Sequence, residues 1–185
     1  MVTRIDDDRL VRISKYLSKH LRHRPERLGL ELAPGGWVEV DLLLASCAAH
    51  NFYITRAELE EVVACNDKQR FSFDETGRRI RANQGHSVEV DLRLEAASPP
   101  PVLYHGTGER AVKLVEAAGL RKMARHHVHL SKDAETARKV GARHGRPVVF
   151  AVDAAGMAEA GHEFYVSANG VWLVESVPPQ YLRII

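Results

Sequence analysis

Between residues 18 and 28 the chain reads Ser18-Lys19-His20-Leu21-Arg22-His23-Arg24-Pro25-Glu26-Arg27-Leu28, four cations and two imidazoles against one acid. Guanidiniums fork onto phosphate oxygens and an imidazole adds a donor, so one reading is an anion pocket. The other is that the cations complement the negative end of a helix dipole, worth about 0.3–1 kcal/mol each. Both readings stand on composition alone. Further along, six of the ten histidines fall after residue 100: His105, His126, His127, His129, His144 and His162. A zinc site would need more ligands at suitable spacing, and neither a nearby cysteine nor an HExxH pair supplies them, so no metal is expected. No GxSxG elbow, GxGxxG turn or Walker A loop occurs either. His105-Gly106-Thr107 reads as a strand end where glycine admits a ligand and the flanking imidazole and hydroxyl hold a ribose diol. A plain turn with a capping threonine is the competing reading. Arg70, Arg81 and Arg125 are further cations, with solvated strand or loop positions as their default.

These residues need elements to hold them. Leu10, Ile13, Leu17 and Leu21 form one apolar stripe, which predicts a helix from the acids Asp6 to Asp8 to about Arg24. Pro25 ends it, placing Arg22 and His23 in its last turn. Trp37 to Val40 alternates like a strand, and Asp41 is the expected N-cap of a helix over Leu42 to Ala49. Thr55-Arg56-Ala57-Glu58 is a capping box, opening a helix that stops near Asn66. Arg70 to Phe73 and Arg79 to Arg81 read as a hairpin. Helices followed by such a wing spell a winged-helix module, a fold that often binds nucleic acid.

Glu95 to Pro101 carries three prolines and reads as a stiff linker, giving lobes 1–97 and 98–185. In the second lobe a strand starts at Val102 and a helix spans Glu109 to Ala118 with Gly119 beyond it. His127 to Ser131 is a strand, Asp133 to Val140 a helix and Pro147 to Val152 a buried strand. Asn169-Gly170 signals a hairpin between Glu163–Val166 and Val171–Val174. Pro178-Pro179 ends the last sheet segment. The class is α+β rather than doubly wound.

The 185 residues are 45% hydrophobic, enough for real cores, and no apolar run approaches the roughly 20 residues a membrane span requires. The polar opening from Met1 to Asp8 predicts no secretory signal, hence a cytoplasmic protein. Cys47 and Cys65 lack CxxC spacing and read as reduced thiols. A net charge of +2 excludes a polycationic nucleic-acid coat. The basic residues are local, which suits a phosphate held at one point.

Seven segments in order resemble the RNA 2′-phosphotransferase (tRNA 2′-phosphotransferase) family. They are Ser18–Leu30, Gly36–Leu43, Asn66–Phe73, Ile80–Ser87, Leu103–Thr107, Met123–Ser131 and Phe164–Leu173. The resemblance implies a winged-helix lobe and an ADP-ribosyltransferase-like lobe with a cleft between them. It implies attack by an internal RNA 2′-phosphate on the ribose C1″ of NAD, expelling nicotinamide. The ribose 2″-hydroxyl then attacks phosphorus, giving 2′-hydroxyl RNA and ADP-ribose 1″,2″-cyclic phosphate, with no metal. Arg22, His23, Arg70 and Arg125 take the catalytic positions. His105, Gly106, Thr107, His129, Ser131, Ser167, Asn169 and Gly170 are the implied NAD contacts. Lys19, Arg81 and the run Gln84, Gly85, His86 and Ser87 are the implied contacts to phosphate or RNA. The partners are RNA bearing an internal 2′-phosphate and NAD, with no membrane and a monomeric protein. Protein-modifying relatives of that fold usually carry a glutamate in the last motif; here the hairpin reads Asn169-Gly170-Val171-Trp172, apolar where that acid is expected, although Glu163 and Glu175 are near. The rival readings are an ADP-ribosyltransferase that leaves ADP-ribose on its acceptor, and a winged-helix DNA-binding regulator.

Overall fold

Pro25 does what its missing amide predicts, and the first helix stops ahead of it. In the computed structural model, which describes residues 5–65 and 68–185, α1 spans Asp7–Arg22 with His23 as its C-cap. Asp7 and Asp8 occupy its first turn, where carboxylates complement the helix dipole. Pro25–Leu28 forms a tight 3-10 turn closed by Gly29 at φ 65°, a left-handed conformation that glycine adopts without steric cost. Ile13, Leu17 and Leu21 are fully buried. At roughly 1.5–3 kcal/mol per buried aliphatic side chain, that stripe outweighs any single cap or dipole effect in holding α1.

After α1 come β1 (Val38–Glu39), α2 (Val40–Ala49) and α3 (Arg56–Ala64). The strands β2 (Phe71–Phe73) and β3 (Arg79–Ala82) follow. The three strands form an antiparallel sheet in the order β1-β3-β2. Glu39, not Asp41, is the N-cap of α2, because β1 is short and the helix begins directly from it. The capping box on α3 is present in full: Thr55 Oγ1 accepts from the Glu58 amide at 3.2 Å, and the Thr55 amide donates to Glu58 Oε2 at 2.8 Å. Glu58 also meets Arg9 at 3.0 Å, tying α3 to α1. Thr55→Ala removes only the cap, so urea unfolding is expected to show a loss of about 1 kcal/mol, restored by Thr55→Ser. The expected helix end near Asn66, and the start of the Asn66–Phe73 motif, fall outside the described residues.

The chain divides into two compact units, Met1–Arg93 and Leu94–Ile185. Part of the expected linker is held by the second unit: Ala96 bridges Tyr165, and the Ala97 amide donates to the Phe164 carbonyl at 2.8 Å. There, β4 (Val102–Gly108) leads through a 3-10 turn into α4 (Val112–Ala118), closed by Gly119. Then come β5 (Leu120–Arg121), β6 (Val128–Leu130), α5 (Ala134–Gly141) and β7 (Pro147–Asp153). Last are α6 (Ala154–Glu159), β8 (Phe164–Val166), β9 (Trp172–Val174), β10 (Ser176–Val177) and β11 (Leu182–Ile184).

The strands form antiparallel groups β11-β7-β4, β6-β9-β8 and β10-β5. Tyr104 and Ser131 exchange both backbone hydrogen bonds, at 2.9 and 2.8 Å, joining β4 to the end of β6. Contrary to the expected end of the sheet at Pro178-Pro179, the chain turns there and pairs Leu182 with Val152. The prolines redirect the backbone without capping the sheet. The class is α+β. Among the described residues no helix is long and apolar enough to cross a membrane.

Candidate active site

In the first unit, α1 presents a second stripe beside its buried one. Ser14, Ser18 and Arg22 recur every four residues, with Val11 a turn earlier and Lys15 beside Ser14, and line a cavity of about 490 Å³. Val62 and Cys65 supply another wall, and Lys68 and Arg70 complete the polar side. Arg70 Nη1 donates to Ser14 Oγ at 3.2 Å. The Arg70 backbone is held in turn: its carbonyl accepts from the Asn83 amide at 2.9 Å. Asn83, 3% exposed, also donates its side-chain amide to Gln69 O at 2.6 Å.

The loop after β3 orients the end of α1. The Ser87 amide donates to the Arg22 carbonyl at 2.9 Å, and Ser87 Oγ shares a 2.9 Å hydrogen bond with His23 Nδ1. Gly85, at φ +87°, lies beside the Arg22 side chain, where a Cβ would make ordinary contact at 3.6 Å from Arg22 Cδ. Arg22, His23 and Arg70 are therefore all positioned by segments distant in sequence but within one unit.

In the second unit two imidazoles are set with opposite hydrogen-bond polarity. His105 Nδ1 donates to the His129 carbonyl at 3.0 Å, which leaves Nε2 as an acceptor. Burial lowers the His105 pKa; that carbonyl opposes the shift, and the charges of Arg125 and His144 add to it. Arg125 Nη1 lies 2.8 Å from His129 Nδ1. A guanidinium only donates, so that nitrogen accepts and the His129 ring proton sits on Nε2. Desolvation, then the neighbouring Arg143 charge, lower the Arg125 pKa from its ordinary value.

Two comparisons bear on what such groups do. The family described as "RNA 2'-phosphotransferase, Tpt1 / KptA family" matches residues 8–176. The chain belongs to the RNA 2′-phosphotransferase family. A protein of Trichormus variabilis named "Probable RNA 2'-phosphotransferase" is 66% identical over 181 residues, 98% of this chain and 100% of its own length. Relatives with the same name from Streptomyces coelicolor and Hahella chejuensis are 62% and 50% identical, each covering 97% of this chain and 97% and 96% of their own lengths. Membership in the RNA 2′-phosphotransferase family makes the chain a transferase whose substrate class is RNA bearing a 2′-phosphate.

Within this RNA 2′-phosphotransferase fold several expected site residues have other occupations. Gly106 does not open β4 to a ligand. A Cβ there would run into the Ala137 carbonyl, and Gly108 meets the His144 carbonyl in the same way. Strand alternation puts His105 and Thr107 on the face opposite those glycines. Ser167 is 4% exposed: its hydroxyl donates to Asn169 Oδ1 and accepts from the Val171 amide at 3.1 Å, pinning the β8–β9 turn. Gly170 is exposed at φ +78° and closes that turn.

His86 is 1% exposed with its ring over Gly36, so it supports the loop from inside rather than reaching for RNA. Arg81 stacks 4.5 Å over Trp37 and donates to Gly35 O at 3.4 Å. Lys19 is exposed and off the cavity's lining, because the α1 stripe carries Lys15 there instead. His20 is 5% exposed and donates to the Tyr16 carbonyl at 2.8 Å, so it leaves the cationic cluster for the core. Gln84 and Ser131 are half-buried.

Two side chains, Ser14 and Arg143, were not singled out from sequence. Ser14 was legible as part of an i, i+4 series with Ser18 and Arg22. Arg143 had no local signal, since a 3-10 turn (Ala142–His144) brings it in, whereas Ser87, expected with Gln84 to His86 against phosphate or RNA, is found bonded to His23.

The His105 shift has a pH consequence. A histidine whose folded value lies below its unfolded one, about 6.5, gives stability present above that pH and lost as pH falls through the folded value. His105→Asn keeps the donor to the His129 carbonyl and removes the titration. Thermal melts are expected to fall below pH about 6.5 in the parent, and less steeply in this variant.

Proposed function

We propose that the chain removes an internal 2′-phosphate from RNA in an NAD-dependent reaction, as at a tRNA splice junction. The products are 2′-hydroxyl RNA, nicotinamide and ADP-ribose 1″,2″-cyclic phosphate, formed through an ADP-ribosylated 2′-phospho-RNA. NAD, as co-substrate, supplies the C1″ electrophile and a leaving group; no metal enters the scheme. In this reading the first unit is a winged-helix lobe and the second an ADP-ribosyltransferase-like lobe, and the protein acts as a cytoplasmic monomer.

The observation that carries the reading is the cation-lined cavity holding Arg22 and Arg70, in a chain of a family named for RNA 2′-phosphate transfer. A phosphate monoester is a dianion near neutrality, and two fixed guanidiniums match its charge and fork geometry. His23, steadied by Ser87, is assigned hydrogen-bond or proton donation during transesterification. Arg125 is assigned charge stabilisation at phosphorus. The NAD ribose needs both a donor and an acceptor, and the Nε2 atoms of His129 and His105 fit that requirement. Thr107 and Ser131 offer further hydroxyls, while Gly106 and Ser167 shape the elements that carry these groups.

The phosphate nucleophile is already ionised, so the first step needs no general base, consistent with the apolar Val171-Trp172 where a catalytic acid would otherwise stand. Incubation with NAD and an oligonucleotide bearing one internal 2′-phosphate tests the proposal. Loss of that phosphate together with appearance of cyclic-phosphorylated ADP-ribose is the expected result. ADP-ribose left permanently on the RNA, or phosphate loss without NAD, would overturn it.

A further inference from the structure

The cavity beside α1 carries more positive charge than a 2′-phosphate needs. Arg22 and Arg70 lie on its lining together with Lys15 and Lys68, and no acid lines it among the described residues. A phosphate monoester brings about −1.5 to −2 charges at neutral pH. Two arginines match that charge, and Lys15 and Lys68 add two further cationic side chains to the same lining. A lysine is a compact point charge on a flexible stem, suited to a phosphate whose position varies by an ångström or two rather than to fixed bidentate geometry.

The remaining lining fits what stands next to a phosphodiester. Leu10, Val11 and Val62 form an apolar flank on the same cavity. An apolar surface of this kind accepts the face of a sugar or base without reading its identity. About 490 Å³ lies in the range that encloses a small-molecule ligand. It holds roughly one nucleotide and not a folded RNA.

We propose that Lys15 and Lys68 form a phosphodiester subsite of this cavity, holding the RNA backbone beside the nucleotide whose 2′-phosphate Arg22 and Arg70 receive. The inference rests on the function proposed above and adds the residues that distinguish an internal 2′-phosphate from one on a free nucleotide. A mononucleotide such as adenosine 2′-monophosphate engages the arginines alone. An oligonucleotide with an internal 2′-phosphate also engages the lysines.

The chain provides its own reporter. Cys65 is an exposed thiol on the cavity wall. Cys47 is buried, and desolvation pushes its thiol up to about 11, so it is not the reactive one. Maleimide labelling therefore reads occupancy at Cys65.

The test is binding of both ligands to the parent, Lys15→Gln, Lys68→Gln, the double variant and Arg70→Gln, across a salt series without NAD. Each lysine substitution is expected to leave adenosine 2′-monophosphate affinity unchanged. Each should weaken the oligonucleotide and lower its log K against log salt slope by about 0.7, the increment for one phosphate contact on a single strand. Bound oligonucleotide should slow Cys65 labelling. Lysine variants that bind the oligonucleotide like the parent, that lose both ligands equally, or an oligonucleotide that leaves Cys65 labelling unchanged would each overturn the subsite. If Arg70→Gln binds adenosine 2′-monophosphate like the parent, the arginine site of the underlying reading fails first, and the subsite falls with it.

Discussion

Arg125→Ala and His23→Ala are expected to accumulate ADP-ribosylated RNA, with the second chemical step slowed more than the first. In the proposed scheme the first step joins an anionic phosphate to C1″ and expels nicotinamide, so positioning matters more than proton transfer. The second step forms the 2″-oxygen–phosphorus bond and breaks the bond from phosphorus to the RNA 2′-oxygen. Charge grows on the phosphoryl oxygens and on the departing 2′-oxygen, which finally takes a proton. A preorganised donor aimed at such charge is worth about 10² to 10³ in rate. Single-turnover gels that resolve substrate, intermediate and product read both steps at once. Full turnover by either variant without intermediate would remove these role assignments.

Arg125 has a second task that sharpens the comparison. Its guanidinium donates to His129 Nδ1 at 2.8 Å and sets that ring's tautomer. Alanine at 125 therefore also removes a donor from the imidazole assigned to the NAD ribose, and its KM for NAD is expected to rise. His23→Ala leaves that arrangement alone, since His23 bonds to Ser87 within the first unit. The two variants should share the slow second step and differ in NAD dependence.

Gly106→Ala is expected to disrupt the second unit itself. One methyl there collides with the Ala137 carbonyl, an atom of the α5 backbone that no rotamer change can move aside. Gly141 of α5 is also close-packed, its own Cβ position lying 2.8 Å from the Thr107 carbonyl oxygen. The helix lies against β4 through glycine on both sides, so neither partner can yield alone. Overpacking typically costs 1–3 kcal/mol, and a backbone collision lies at or beyond the top of that range. Calorimetry should show a large fall in the melting temperature, or loss of the second unit's transition, even without ligands. A normal melt with NAD binding alone impaired would return Gly106 to the role of ligand contact.

The local frame of the molecule was written in short-range signals. Pro25 stops α1 because its ring and missing amide act within one turn. Thr55 and Glu58 cap α3 because the partners are three residues apart, and Asn169-Gly170 turns β8 into β9 through left-handed backbone at Gly170. Family membership was legible for a different reason: seven separate motifs stand in order along one chain.

Tertiary structure decided what depended on distant segments meeting. Nothing near Gly106 announces the Ala137 carbonyl, and nothing near His86 announces burial over Gly36. Leu182 pairs with Val152 only because the chain re-enters the sheet after Pro178-Pro179. Ser87 reaches His23 across the fold, and Lys15 displaces Lys19 from the cavity because helical phase, not charge, selects the lining. Sequence specifies interactions within a turn or a hairpin through backbone geometry. Which polar residues become ligand groups and which become supports is set by packing, where a glycine or an imidazole serves whatever surface the fold presses against it.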